Sequence, residues 1–316
     1  MYRHSAKHSL NLIFSIVLGR KAPDFKISMP HLATDLIKLN NLQLAGKLIS
    51  EELWLGIHGS RRTGVGVEFE QYRHYEPGDD PKRIDWKLYA RTGKHQVRES
   101  ATESSLHIRF LLDLSGSMNY TEGTLSRLDY ARILLASLAY LGYRQGDAMS
   151  LYALQEGTLQ TLAVSGKQAF QKILFGLEKA EAQGAWHTNA SAFPEFYARN
   201  KEMLVFVSDL LQADDEWIRL IKTIANPRRE VVIFQILGDQ ELDFDLKGFY
   251  RFQDLETGQA VELDAAAVRD TFRQNATRYL QELDEALRLP HVHLIRARLS
   301  DPIAFILRDF LVKRKV

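Results

Sequence analysis

The sequence predicts an α/β protein: a doubly wound, mostly parallel sheet, preceded by a small β-containing segment. From about residue 104 onward, short apolar runs such as His107 to Leu112, Met203 to Val207 and Val231 to Leu237 alternate with helical patterns. That alternation is what parallel strands covered on both faces require. Before it the period differs. Val65, Val67 and Phe69 alternate with Gly66, Glu68 and Glu70, the spacing of a strand with one wet face. The 316 residues, 45% hydrophobic and 26% charged, suffice for one such domain and a smaller unit. The division expected is an N-terminal extension at 1–29, a helix plus β-containing segment at 30–103, and the α/β domain at 104–316.

Arg3 and Lys7 precede the apolar run Leu10 to Leu18, the order of a signal peptide, but Gly19-Arg20-Lys21 follows and no small-x-small cleavage site does. The expectation is a short extra helix or a disordered tail, with Met29-Pro30 as an alternative start. Leu32, Leu36 and Leu39 fall at i, i+4, i+7, so a helix follows Pro30, which a first helical turn accepts. Asn40-Asn41 interrupts the pattern as a helix end, and Leu44 and Leu48 resume it. Pro77-Gly78-Asp79-Asp80-Pro81 is a turn, and Gln96 to Glu99 a further strand. After the strand at His107 comes a Ser/Gly loop, then a helix from Ser126 to Arg144 opened by Ser126 and Asp129 as a capping box. Strands follow at Met149 to Leu154 and Leu159 to Val164, then a helix at Gln168 to Ala182, a strand at Met203 to Val207 and a helix at Trp217 to Ile224. Val231 to Leu237 is a buried strand, Asp264 to Leu289 a long helix with an acidic cap, Val292 to Ile295 a strand, and Pro302 to Lys313 the last helix. No long Pro- or Ser-rich linker separates the halves, so the segment before residue 104 is expected to pack on the α/β domain.

Composition excludes several chemistries. There is no cysteine, hence no disulfide, thiolate-held iron–sulfur cluster, zinc ribbon or cysteine nucleophile. Lys+Arg is 41 and Asp+Glu is 40, so the net charge of +1 argues against a protein that lives on nucleic acid or anionic lipid. The longest apolar stretch, Ile133 to Tyr143, is far short of the ~18 residues of a membrane span, so no stable insertion is expected and the location read is cytoplasmic. Gly166-Lys167 lacks the rest of a P-loop, and neither a Gly-x-Ser-x-Gly elbow nor a His-Glu-x-x-His pair occurs.

Open α/β sheets bind ligands beyond the carboxyl ends of their strands. The strand from His107 ends in Asp113-Leu114-Ser115-Gly116-Ser117-Met118, one carboxylate and two hydroxyls in a tight turn. The strand from Met203 ends in Ser208-Asp209, a second acid at that edge, and Trp186-His187-Thr188-Asn189 offers a third loop. These oxygens suit a hard cation such as Mg²⁺. One direct carboxylate with two or three hydroxyls leaves such an ion under-neutralised and open to an acidic residue from outside. Two alternatives stand beside this reading, one structural and one enzymatic. The Ser and Asp side chains serve as helix caps only, or Asp113 and Asp209 support a Mg²⁺-dependent phosphohydrolase. Against the latter, the Asp113 loop has no second group to act as acid or base.

Asp113-x-Ser115-x-Ser117 followed by Met118 is similar to the metal-ion-dependent adhesion site of von Willebrand factor type A domains. The resemblance implies Mg²⁺ or Mn²⁺ anchored by Asp113, with Ser115 and Ser117 as hydroxyl ligands, Thr188 as a ligand in a partner-bound state and Asp209 as acceptor for a metal-bound water. His187 and Asn189 flank Thr188, where that family usually has Gly before and an acid after. Upstream, Gly56-Ile57-His58-Gly59-Ser60, Gly64-Val65-Gly66-Val67-Glu68-Phe69, Arg73-His74-Tyr75-Glu76-Pro77-Gly78-Asp79-Asp80, Arg83-Ile84-Asp85-Trp86-Lys87 and Ala90-Arg91 closely resemble the signature of the bacterial "domain of unknown function 58" family. In that family the signature directly precedes a von Willebrand A-like domain, and the resemblance covers about residues 30–310. It implies a non-enzymatic adapter or regulator working with a MoxR-type AAA+ ATPase, with an acidic residue of a client at the metal. Within the signature, the interspersed acids and bases read either as a solvated ion-pair network or as a docking surface. On the second reading Arg83, Asp85, Trp86 and Arg91 are the candidate contacts, because aromatics and Arg concentrate at hot spots.

Overall fold

Asn41 starts a helix: its Oδ1 accepts the Leu44 N–H at 3.0 Å. The computed structural model describes residues 41–58, 71–75, 84–99, 106–156, 158–184, 201–211, 216–255 and 258–314. The helix from Leu32, the strand around Val67 and the turn at Pro77 lie outside these. The helix that Asn41 opens, α1 (Leu42–His58), buries Leu42, Ala45, Ile49 and Leu53, not the Leu44 and Leu48 stripe; Leu44 is 38% exposed. Small residues decide that face. A Cβ at Gly46 would lie 2.9 Å from the Ala136 carbonyl carbon, and the Ser50 hydroxyl is 2.9 Å from the Ser137 carbonyl oxygen. The partner helix approaches most closely at Gly46 and Ser50, with the larger Leu42, Ile49 and Leu53 packed on either side.

Strands β1 (Gln71–His74) and β2 (Gln96–Glu99) pair antiparallel. Between them lies a helix that the charged sequence did not disclose, α2 (Trp86–Thr92). Asp85 begins it, its Oδ1 accepting the N–H groups of Lys87 and Leu88 at 3.0 Å each. Gly93 ends it at φ +66, in the left-handed region that glycine adopts without strain. None of its residues is buried.

The main sheet begins with β3 (His107–Asp113). A 3-10 turn at Gly116–Asn119 and a small hairpin, β4 (Thr121–Glu122) with β5 (Leu125–Ser126), lead into α3 (Arg127–Gln145). Ser126 caps α3 by accepting the Asp129 N–H at 3.0 Å, but the other half of the expected box differs. The Asp129 carboxylate accepts the Ser126 hydroxyl at 2.8 Å and Arg132 at 2.9 Å. Then come β6 (Ala148–Gln155), β7 (Thr158–Ala163), α4 (Ala169–Lys179), β8 (Glu202–Ser208), α5 (Glu216–Ile224) and β9 (Arg229–Leu237). A short α6 (Asp239–Asp243) and a hairpin of β10 (Phe249–Gln253) with β11 (Ala260–Asp264) precede α7 (Ala265–Ala286), β12 (Val292–Arg298) and α8 (Ile303–Arg314). Neither α6 nor this hairpin has an apolar run to signal it; Phe249 is 83% exposed.

The sheet order is β12-β9-β8-β3-β6-β7, parallel except for the β6–β7 pair. Successive residues of a strand face opposite sides. Phe110, Leu112, Val205, Val207 and Phe234 join one core with α1, α3 and α8. Leu111, Leu204, Phe206 and Ile233 join the other with α5 and Leu283 of α7. Each such fully buried side chain contributes about 1.5–3 kcal/mol, which is why the strands read as unbroken apolar runs. From β3 the chain crosses to β6 on one side and later returns to β8 on the other. The carboxyl ends of β3 and β8 therefore frame a topological switch point, where such sheets open a crevice. Among the described residues no helix is long and apolar enough to cross a membrane.

Candidate functional site

Asp113 is the last residue of β3 and has no exposed surface. Its Oδ1 accepts the Ser115 N–H at 2.9 Å and its Oδ2 the Ser208 hydroxyl at 2.6 Å. The Ser115 and Ser117 hydroxyls lie 2.9 Å apart, paired with each other. Between them Gly116 donates its N–H to the Gly184 carbonyl at 2.7 Å, and a Cβ there would sit 2.7 Å from the Leu255 carbonyl oxygen. Only glycine fits that approach, so the turn folds both hydroxyls to one side of the Asp113 loop.

Asp209 follows β8. The next residue, Leu210, has φ +55, a left-handed conformation costing a non-glycine residue about 1–3 kcal/mol. Local bonds hold it there. Ser208 Oγ accepts the Leu210 N–H at 2.9 Å, Asp209 Oδ1 accepts the Leu211 N–H at 3.2 Å, and the Tyr279 hydroxyl donates to the Leu210 carbonyl. Ser208 thus ties the two acidic loops together, donating to one and accepting from the other.

A third group joins them. Arg127, the first residue of α3, is fully buried. Its Nη1 donates to Asp209 Oδ2 at 2.6 Å and to the Ser117 carbonyl at 3.0 Å, while Nη2 forms an ion pair with Glu241 of α6. The Tyr120 ring lies against the guanidinium, 4.5 Å from its carbon. Glu241 Oε2 also accepts the Gly238 N–H at 2.7 Å, and its Oε1 has no hydrogen-bond partner among the described residues. Three buried acids, Asp113, Asp209 and Glu241, thus stand against one buried base, which pairs with the last two only. The imbalance shows in the protonation of Asp113 and Glu241. Burial first, and the Asp209 charge second, push the Asp113 carboxyl up to about 6, against the bonds from Ser208 and Ser115. Burial also raises Glu241, which Arg127 partly offsets. For Arg127 burial acts downward, but the Glu241 and Asp209 charges outweigh it and hold the guanidinium above its ordinary value.

Among the described residues no three His, Cys, Asp or Glu side chains converge as a ready metal cage. A cation here would rest on one carboxylate and hydroxyls, and the donor set of Asp113, Ser115 and Ser117 has the hard-oxygen chemistry that Mg²⁺ or Mn²⁺ takes. The surplus of buried negative charge suits it as well. The structure thus brings Asp113, Ser115 and Ser117 into one turn and places Asp209 at the same sheet edge, engaged by Arg127. Thr188 lies outside the described residues, and so does Arg83. Asp85 is the cap of α2, Trp86 is 56% exposed on that helix with its ring edge-on to Tyr89, and Arg91 is exposed in its last turn.

Arg127, Glu241 and the strained Leu210 were not read from the sequence. Arg127 did carry a signal. It stands at i to Ala131, Leu134 and Leu138 at i+4, i+7 and i+11, all buried, so a charge sits on the apolar stripe of its helix. Glu241 belongs to a five-residue helix with no such periodicity.

The chain matches, over residues 71–282, the family model described as a protein of unknown function, DUF58. It is 27% identical over 287 residues to an uncharacterised protein of Mycobacterium tuberculosis, covering 88% of this chain and 89% of that one. Solved structures similar to it include a conserved hypothetical protein, BatB, from Bacteroides thetaiotaomicron, at 13% identity and a TM-score of 0.42, covering 66% of this chain and 98% of that one. The SpRpn10 VWA domain is similar at 12% identity and a TM-score of 0.37, covering 64% of this chain and 93% of that one.

Proposed function

The chain belongs to the DUF58 family of proteins of unknown function, and from that membership we propose that it is a non-enzymatic protein-interaction module whose crevice binds a divalent cation and, through it, an acidic side chain of a partner. The observation that carries this reading is the unequal charge of the crevice, three buried acids to one buried base. Folding has left negative charge there that a divalent ion neutralises. Asp113 is the direct carboxylate, Ser115 and Ser117 the hydroxyl ligands, Thr188 a further ligand in the partner-bound state, and Asp209 an acceptor for a metal-bound water. When bound, Mg²⁺ or Mn²⁺ supplies a charge that a single carboxylate does not cancel, so the ion takes a carboxylate from outside.

The partner we propose is a cytoplasmic MoxR-type AAA+ ATPase, for which the chain acts as adapter or regulator; the resemblance of the signature segment supports this. Arg83, Asp85, Trp86 and Arg91 form a second contact surface, supported by the exposure of Trp86 on a helix with no buried residue. The test is a pull-down from the source cell with wild type and Asp113→Ala, each with Mg²⁺ and with EDTA. An ATPase retained only by wild type in Mg²⁺ is the expected result. The same proteins in all four conditions would remove the metal bridge from the mechanism.

A further inference from the structure

We infer that Arg127 is a positioning residue of the crevice: it clamps Asp209 away from the cation and so reserves the ion's open coordination for a partner's carboxylate. The inference rests on the cation reading above and adds to it the device that makes the bound ion dependent on a partner. Both oxygens of Asp209 are engaged from within the chain, Oδ2 by Arg127 at 2.6 Å and Oδ1 by the Leu211 N–H at 3.2 Å. The Asp113 oxygens, by contrast, meet only neutral donors, the Ser115 N–H and the Ser208 hydroxyl. A guanidinium and a metal ion compete for the same carboxylate, and here the guanidinium is already seated.

The clamp is anchored at several points. The same Nη1 donates to the Ser117 carbonyl at 3.0 Å, so Arg127 spans the two loops that flank the crevice. Its Nη2 is ion-paired with Glu241, and the Tyr120 ring covers the guanidinium. Tyr120 in turn donates its hydroxyl to Glu122 at 2.6 Å, and Glu122 receives the N–H groups of Asp239 and Gln240 at 2.8 Å each. The β4–β5 hairpin and α6 are thus tied together behind the Tyr120 ring that covers the arginine. A planar fork that serves two acids in fixed directions is a task that lysine does poorly.

The expected consequence is that loosening the clamp tightens the grip on metal. A lone Arg127→Gln change also removes a positive charge, which would attract cations whatever the geometry. The decisive variant is therefore the charge-neutral pair Arg127→Gln with Glu241→Gln, in the full chain, with Mn²⁺ uptake followed by the electron spin resonance of the free ion. Freed of its partner, Asp209 joins the ligands, and Mn²⁺ binds about tenfold more tightly than to wild type, the scale at which groups orienting metal ligands act. Affinity equal to or weaker than wild type overturns the clamp. Arg127→Lys keeps the charge and loses the fork, and gives a smaller gain; if the double variant does not fold, an unchanged affinity in this one overturns the clamp by itself. The wild type distinguishes the other failure. No Mn²⁺ uptake that Asp113→Ala abolishes overturns the cation reading itself, whereas normal uptake with no gain in the variants overturns only the role of Arg127.

Discussion

Both ends of the central strands bury charge, and they balance it in opposite ways. At the amino end of the sheet Glu202 of β8 accepts Arg109 of β3 at 2.8 Å and Arg229 of β9 at 2.8 Å, one on each oxygen, and Arg109 also reaches the Tyr152 hydroxyl at 2.9 Å. One acid is answered by two bases whose heads reach solvent. At the carboxyl end Arg127 is divided between two buried acids, Asp209 and Glu241, and a third, Asp113, has no base at all. The first arrangement is a strut across three neighbouring strands. The second leaves carboxylate charge uncompensated, and the energetic strain sits beside a left-handed leucine. An unbalanced acid cluster at the switch point, where such sheets open a crevice, is what the proposed cation site draws on, and the strut has no counterpart to it.

The largest expected effect falls on the strut. Glu202→Ala strands two arginines and costs about 3–5 kcal/mol, a loss of roughly 10 °C in Tm for a chain of this size. The loss is the same with Mg²⁺ or EDTA; a Mg²⁺-dependent loss would break the distinction between the ends. At the other end the sign reverses. Because the folded Asp113 carboxyl is raised to about 6, the folded state holds its proton longer than the unfolded chain does. The metal-free protein therefore loses stability as pH rises from the ordinary carboxylate value through about 6, and levels off above it. Asp113→Asn removes that charge. The metal-free variant gains on the order of 1–3 kcal/mol at pH above 7, its urea midpoint slopes less than that of wild type between pH 4 and 6, and Mg²⁺ no longer raises its Tm. A variant less stable than wild type at every pH would make Asp113 a strut like Glu202.

Gly238→Ala sharpens the comparison from the brace behind Arg127. A Cβ there would lie 2.4 Å from the Tyr120 ring and 2.6 Å from Glu122 Oε1. Tyr120 is buried with Arg127 on its face and has no room to yield. The expected cost is about 1–3 kcal/mol, read as a lowered Tm together with altered Mn²⁺ affinity. A lowered Tm with unaltered affinity would separate the brace from the site.

The two ends also differ in how far the sequence discloses them. The strands were legible because burial on both faces leaves an unbroken apolar run, and Asp113 and Asp209 were legible because they end such runs. The Ser115-Gly116-Ser117 turn was legible as a motif, although the contact that demands its glycine, the Leu255 carbonyl, lies far along the chain. What stayed hidden depends on distant partners. Glu241 is paired with Arg127 from more than a hundred residues away, and the Glu202 strut joins three strands that are separate in sequence. The buried face of α1 is not the one the Leu44 and Leu48 spacing suggests, because Gly46 and Ser50 set where the partner helix comes closest. α2 was missed because its helix is specified by a cap at Asp85 and a glycine at 93 rather than by an apolar stripe.

That helix supplies the smallest expected effect on stability and the widest gap between stability and binding. Trp86 is 56% exposed, and its ring meets Tyr89 and His95 only edge-on, at 6.0 and 6.4 Å between centroids. Only the covered part of the ring is lost on truncation, so Trp86→Ala costs about 1 kcal/mol, checked by urea unfolding beside wild type. On the docking reading the same change weakens capture of the ATPase in Mg²⁺, since a large exposed aromatic among bases is where binding energy concentrates. Combining it with Asp113→Ala then separates two arrangements of the complex. If α2 and the cation touch different parts of the partner, the losses in binding free energy add. If the double variant binds no worse than the weaker single one, both act on one acidic segment of the partner, and the basic, aromatic helix is the outer lip of the metal crevice rather than a second surface.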